Sequence, residues 1–161
     1  MIFESLDNIK NNPFYDELCA FMKKFTSSEQ LLRSGGIPID ILDRLAHGFS
    51  ESDIKQLEPD RLKIRWWDDI GNVKYEIRTS GLSEKEWAKT INLNEPIEVS
   101  YRVHNGEKGF FIEDGHHRYM AAKILDRPLN VDIDINLNPI KELDPELSYD
   151  EFHRKIFDMV R

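Results

Sequence analysis

The sequence predicts a mixed α+β fold with a small sheet and packed helices, on three observations. Apolar residues recur at helical spacing near both ends, as in Phe14, Leu18, Phe21, Met22 and Phe25, and again in Tyr149, Phe152, Ile156, Phe157 and Val160. Between them lie segments of strict alternation, the clearest being LNVDIDINL, where Leu129, Val131, Ile133, Ile135 and Leu137 are separated only by Asn and Asp. A glycine-led turn then joins one alternating segment to a helical one at EDGHHRYMAAKIL, residues 113–125.

Taken in order, Asn12 before Pro13 has the form of an N-cap with proline at the first helical position, opening the first amphipathic helix. Thr26 with Glu29, Ser50 with Asp53, Ser83 with Glu86 and Ser148 with Glu151 each match a capping box, so four helix starts are expected there. SGGIP, Ser34 to Pro38, is read as a turn; no Lys-Ser or Lys-Thr follows to make it a phosphate loop. RLKIRWW, Arg61 to Trp67, alternates Leu62, Ile64 and Trp66 against Lys63 and Arg65 and predicts a half-buried strand. YEIRTSGLSEKEW is read as a strand end passing through Gly81 into a helix that buries Trp87, Ala88 and Ile91. PIEVSYRV, the turn NGEKG and FFIED form a hairpin. Pro128 ends the following helix, LNVDIDINL is a strand, and the C-terminal helix is expected to dock while keeping His153 on its solvated side.

A chain of 161 residues with 40% hydrophobic and 32% charged residues is long enough for about one compact unit with its own core. The expected division is residues 1–60 as an N-terminal helical extension packed on a core of 61–161, which includes the C-terminal helix. A single cysteine, Cys19, makes no internal disulfide and reads as a small apolar residue beside the first helical stripe. With no CxxC pair, no signal-like N-terminus and no long apolar run, the expectation is a cytoplasmic protein with no membrane contact and no bound metal cluster. The net charge of -8 argues against broad attraction to nucleic acid and leaves room only for a local basic patch.

The densest cations near the glycine turn are Lys108, His116, His117, Arg118, Lys123 and Arg127. Gly115 frees the backbone for a sharp exit from the strand, and the first turn of the next helix presents unpaired N–H groups. Helix-end attraction for an anion is roughly 0.3–1 kcal/mol, whereas a hydrogen bond to a charged group contributes about 1.5–3 kcal/mol, so side chains must dominate. Arg118 and the two histidines are the suppliers; adjacent histidines on a helix diverge by about 100° and do not share one metal ion easily. Each histidine also has a plain structural reading. Asp114 has two readings, a local cap or Asx turn, and an acid that orients Mg²⁺ or activates a hydroxyl.

DGHHRYMAAKIL with LNVDIDI resembles the signature of the ParB/sulfiredoxin superfamily, in which a strand, a glycine-led turn with an arginine, and a helix cradle nucleotide phosphates. The likeness runs from about Leu62 to Leu137. Sulfiredoxin has a cysteine after the motif glycine, and His116 stands there instead, which argues against sulfinic acid reduction. Chromosome-partitioning ParB proteins follow the motif with a helix-turn-helix domain, for which too few residues remain. The DGHHR variant is most similar to the free serine kinases of the superfamily. That resemblance implies that Gly115, His116, His117 and Arg118 contact the phosphates of ATP, ADP or another nucleotide brought with Mg²⁺. It further implies that Asp114 lies near the acceptor hydroxyl of a small substrate, and that an upstream glutamate serves as base. Glu76 is the nominee, with Asp68 and Asp69 as rivals and a solvated strand position as its bland reading; Arg78 falls near the arginine that ParB-like proteins keep. The alternative is a non-catalytic or DNA-directed ParB-like module, with nucleases among its relatives, using the site as a nucleotide switch and its N-terminal helices for a protein partner.

Overall fold

A computed structural model describes residues 6–161. In chain order a 3-10 turn at Leu6–Asn11 precedes α1 (Tyr15–Met22), α2 (Ser28–Arg33) and α3 (Ile39–His47), followed by β1 (Gln56–Leu57) and β2 (Leu62–Ile64). Next come α4 (Trp67–Thr79), α5 (Glu84–Lys89), β3 (Ile97–His104), β4 (Glu107–Asp114), α6 (His116–Leu125), β5 (Leu129–Ile135), α7 (Pro139–Leu143) and α8 (Tyr149–Met159). The chain divides into two compact units, one made of residues up to Ser50 together with Asn138–Arg161, the other of Glu51–Leu137.

The helical unit is held by one apolar cluster. Leu18 of α1, Leu31 of α2, Leu45 of α3 and Phe152 and Ile156 of α8 are completely buried in it, with Phe14, Phe21 and Phe25 packed at its margin. The C-terminal helix therefore belongs with the N-terminal helices, and the division expected at residue 60 gives way to one at Ser50 and Asn138. Periodicity says that α8 must bury Phe152 and Ile156; it carries no information on which apolar face receives them. α8 begins with a complete capping box, Ser148 accepting from the Glu151 N–H and Glu151 accepting from the Ser148 N–H, and Ser83 with Glu86 opens α5 in the same way. The other two expected boxes differ. At α2 the cap is Ser27, which accepts from the Gln30 N–H, and Ser50–Asp53 is a turn with no helix after it. Asn12 accepts from the Phe14 N–H and donates to the Leu45 carbonyl, so α1 starts at Tyr15 rather than at Pro13.

His153 is fully buried, which corrects the solvated position expected of it. Its Nδ1–H donates to the Tyr149 carbonyl at 2.8 Å, and its Nε2 accepts from the Ile37 N–H at 3.0 Å. The Tyr149 hydroxyl donates to the Gly35 carbonyl at 2.7 Å. SGGIP is thus a turn clasped by α8, and Gly36 has no alternative: φ is +80° and a Cβ would lie 2.2 Å from the Tyr149 hydroxyl.

The second unit carries a five-stranded sheet of order β1-β5-β3-β4-β2. β3 and β4 form the expected antiparallel hairpin through Asn105 and Gly106, both at positive φ, while β5 lies parallel to β3 and β2 parallel to β4. Val99 sits opposite Ile112 on one side and Ile133 on the other, placing the buried Ile97, Val99, Ile112, Val131 and Ile133 on one face. Glu98, Ser100, Arg102, Glu113, Asp132 and Asp134 alternate onto the opposite, polar face. Two sequence expectations fail here. β2 ends at Ile64 and the chain turns into a helix at Trp67, and residues 76–79, read as a strand end, are the last turn of α4. Ile70, Val73 and Ile77 are buried along that helix, a stripe that a strand period obscures because only one β-branched residue falls in each turn.

Candidate functional site

The glycine turn sits where β4 leaves the sheet. Gly115 is the N-cap of α6 at φ +104°, and a Cβ there would lie 2.4 Å from the Ile97 Cγ2 on β3, so backbone shape and close packing both require glycine. Asp114 precedes it, and its Oδ1 accepts the Gly115 N–H at 2.9 Å. Strand alternation sends Glu113 to the other face, where Ser100, Arg65 and Arg102 donate to it. Desolvation raises the Glu113 pKa, but these donors and the Arg65 charge outweigh it and hold the carboxyl below its ordinary range. Of the two acids before the glycine, one is committed to an ion cluster and the other faces the turn.

Asp114, Gly115, His116, His117 and Arg118 line one cleft of about 610 Å³ together with Asp69, Asn72 and Glu76 of α4 and the segment Thr90–Asn92. Glu76, which the primary sequence places thirty-nine positions before Gly115, thus shares one space with Asp114 and Gly115 to Arg118. Glu76 is on a helix and not on a strand, and its Oε2 is 2.7 Å from His117 Nε2, both side chains being half exposed. The Trp87 ring flanks His117 at 6.4 Å between centroids. Arg118 donates to Glu95 at 2.9 Å and, at 3.4 Å, to the Pro96 carbonyl.

His116 is different from its neighbour. Its side chain is only 7% exposed, Nδ1 faces Asp69 Oδ2 at 3.7 Å, and Nε2 is buried with no hydrogen-bond partner. A buried polar atom without a partner is uncommon and destabilising by about 1–3 kcal/mol, a cost that His116 carries beside the cleft. Asp69, a rival nominee for the base, is in the cleft; Asp68 is not among its lining residues. Asn72, Asn92 and Glu95 were missed. Asp69, Asn72 and Glu76 recur at i, i+3 and i+7, a polar helical stripe visible in sequence once the segment is read as a helix.

The cleft is acid-rich. Asp69, Glu76 and Asp114 face one permanent cation, Arg118, which is itself paired with Glu95. Two like charges about 5 Å apart at an effective dielectric near 20 repel by about 3 kcal/mol, comparable to one charged hydrogen bond. A bare polyanion gains little here; an anion that brings a divalent cation gains much more. Among the described residues no group of three His, Cys, Asp or Glu side chains converges well enough to hold a metal by itself. No helix among the described residues is long and apolar enough to cross a membrane. No family model, curated protein or solved structure matches the chain.

Proposed function

We propose that the chain is a nucleotide-binding protein of the ParB/sulfiredoxin type that works in the cytoplasm as a Mg²⁺-dependent phosphotransferase or NTPase on a small hydroxyl substrate, in the manner of a free serine kinase. The observation that carries the reading is the convergence of Glu76 from α4, Asp114 from β4 and Gly115 to Arg118 from the start of α6 on one cleft. The backbone N–H groups of α6, the Arg118 guanidinium and the exposed His117 supply donors to phosphate oxygens, and Asp69 and Asp114 supply hard oxygens for Mg²⁺. With nucleotide bound, the acceptor oxygen forms a bond to the terminal phosphorus while the bond to the bridging oxygen breaks. The hydroxyl proton passes to Glu76, which its hydrogen bond to His117 orients, or to Asp114. Most of the rate enhancement then comes from positioning and charge neutralisation, since little covalent chemistry falls to the protein.

The test is thermal melting with ATP, ADP, CTP and GTP, each with and without Mg²⁺. A nucleotide at 100 times its dissociation constant adds about 2.7 kcal/mol of stability. A shift with one nucleotide that requires Mg²⁺ and vanishes in Arg118→Ala is expected, followed by phosphate transfer to serine or another small alcohol. Arg118 is half-buried and its partner Glu95 is largely exposed, so the variant removes no core contact and keeps its fold. A shift that survives Arg118→Ala removes the proposal.

A further inference from the structure

A second cleft in the same unit has the opposite electrostatic character. It is about 460 Å³ and lies at the β2 edge of the sheet, lined by Leu62 and Ile64 of β2, Trp67, Ile70 and Lys74 of α4, and Tyr119, Met120 and Lys123 of α6. Four cations line it, Lys63, Arg65, Lys74 and Lys123, against a single carboxylate, Glu107. In a chain of net charge -8 that is a concentration of positive charge which the composition does not predict. Lys63 is paired with Glu107 and Arg65 with Glu113, whereas Lys74 and Lys123 have no carboxylate partner among the described residues.

Trp67 gives the cleft its other property. The residue is 69% exposed although it is the kind of side chain whose burial contributes most to a core, and it stands at i, i+3 and i+7 with Ile70 and Lys74 on the side of α4 that lines the cleft. Neighbouring Trp66, also exposed at 45%, has the Arg65 guanidinium over its ring at 4.6 Å. A bare indole beside two unpaired ammonium groups fits a planar ring carrying an anionic group: the ring stacks on Trp67, and the anion meets Lys74 and Lys123. The ligand is small. Asp68 and Asp69 follow Trp67 directly, and screening over about 8 Å confines the favourable field to the cleft itself, so a long polyanion running past it meets the acidic remainder of the surface.

We infer that this cleft binds a small phosphate ester that carries a planar ring, the ring stacked on Trp67 and the phosphate neutralised by Lys74 and Lys123. The inference does not rest on the nucleotide reading of the other cleft, and the indole N–H resonances separate the two, because Trp67 lines this cleft and Trp87 flanks His117 in the other. The experiment is titration of the full-length protein with AMP and with phenyl phosphate in EDTA, following both indole signals. The expected result is a saturable shift of the Trp67 signal by at least one of them. That shift is weakened at least tenfold in the double variant Lys74→Glu, Lys123→Glu, weakened likewise when adenosine or phenol replaces the phosphate ester, and unchanged in Arg118→Ala. Both lysines are exposed, so the charge reversal leaves the core intact. No shift of the Trp67 signal with either probe, a shift confined to Trp87, or an unaltered titration in the double variant overturns the inference.

Discussion

Gly36 and Gly115 are two positive-φ glycines, each beside a buried histidine, and they do different work. At Gly36 every polar atom nearby is used: His153 accepts from Ile37 and donates to Tyr149, and the Tyr149 hydroxyl donates to Gly35. At Gly115 the neighbouring His116 lines an open cleft, and its buried Nε2 has no hydrogen-bond partner. A saturated polar cluster is a structural joint, because nothing is left for a ligand to satisfy. An unsaturated one is a cost that the fold tolerates there, of about 1–3 kcal/mol for the unpaired atom.

The comparison breaks most visibly at Gly36. Gly36→Ala forces a Cβ to within 2.2 Å of the Tyr149 hydroxyl and 2.7 Å of His153 Nε2, at a φ that disfavours any L side chain. Left-handed strain of about 1–2 kcal/mol and a disrupted buried hydrogen bond of about 1–3 kcal/mol together predict roughly 3 kcal/mol of destabilisation, read by chemical denaturation. A loss below about 1 kcal/mol would show that α8 yields easily and that the joint is not rigid.

The two histidines sharpen it. His153→Ala strands the Ile37 N–H in the interior and is expected to destabilise by about 2 kcal/mol without touching nucleotide binding. His116→Ala removes an atom already without a partner, so its stability changes by less than about 1 kcal/mol while the nucleotide-dependent melting shift falls. Equal stability losses in the two variants would erase the distinction.

The smallest effect is the pH response. Burial lowers the His153 pKa below its ordinary value near 6.5, against the Tyr149 carbonyl and the Asp150 charge, which raise it. Between the folded and unfolded values the unfolded chain binds the extra proton, so stability is complete above about pH 6.5 and is lost as pH falls through the lower folded value. His153→Gln should flatten that part of the curve of denaturation midpoint against pH, and an identical slope in variant and parent would assign the response to other groups.

The hairpin at Asn105–Gly106, the alternating strand at Leu129–Ile135 and the capping boxes at Ser83 and Ser148 were legible because each depends on residues close in sequence. The α6 side of the cleft was legible for the same reason: Gly115 to Arg118 are consecutive. Glu76 was nominated but assigned to the wrong element, and Asn72, Asn92 and Glu95 were not seen at all. The α4 segment carries Gly71 and Thr79 and only thinly spaced apolar residues, so its helical period is weak without the tertiary packing that buries Ile70, Val73 and Ile77.

The sequence by itself determined the α+β class, the hairpin, the glycine turn and the donors that follow it, because local period, turn chemistry and capping act over a few residues. Only the tertiary structure decided that α8 closes the N-terminal helices, that His153 is buried while His116 keeps a free nitrogen, and that α4 brings Glu76 to Asp114. These are outcomes of which apolar face covers which, and a hydrophobic stripe specifies that it must be covered without naming its partner.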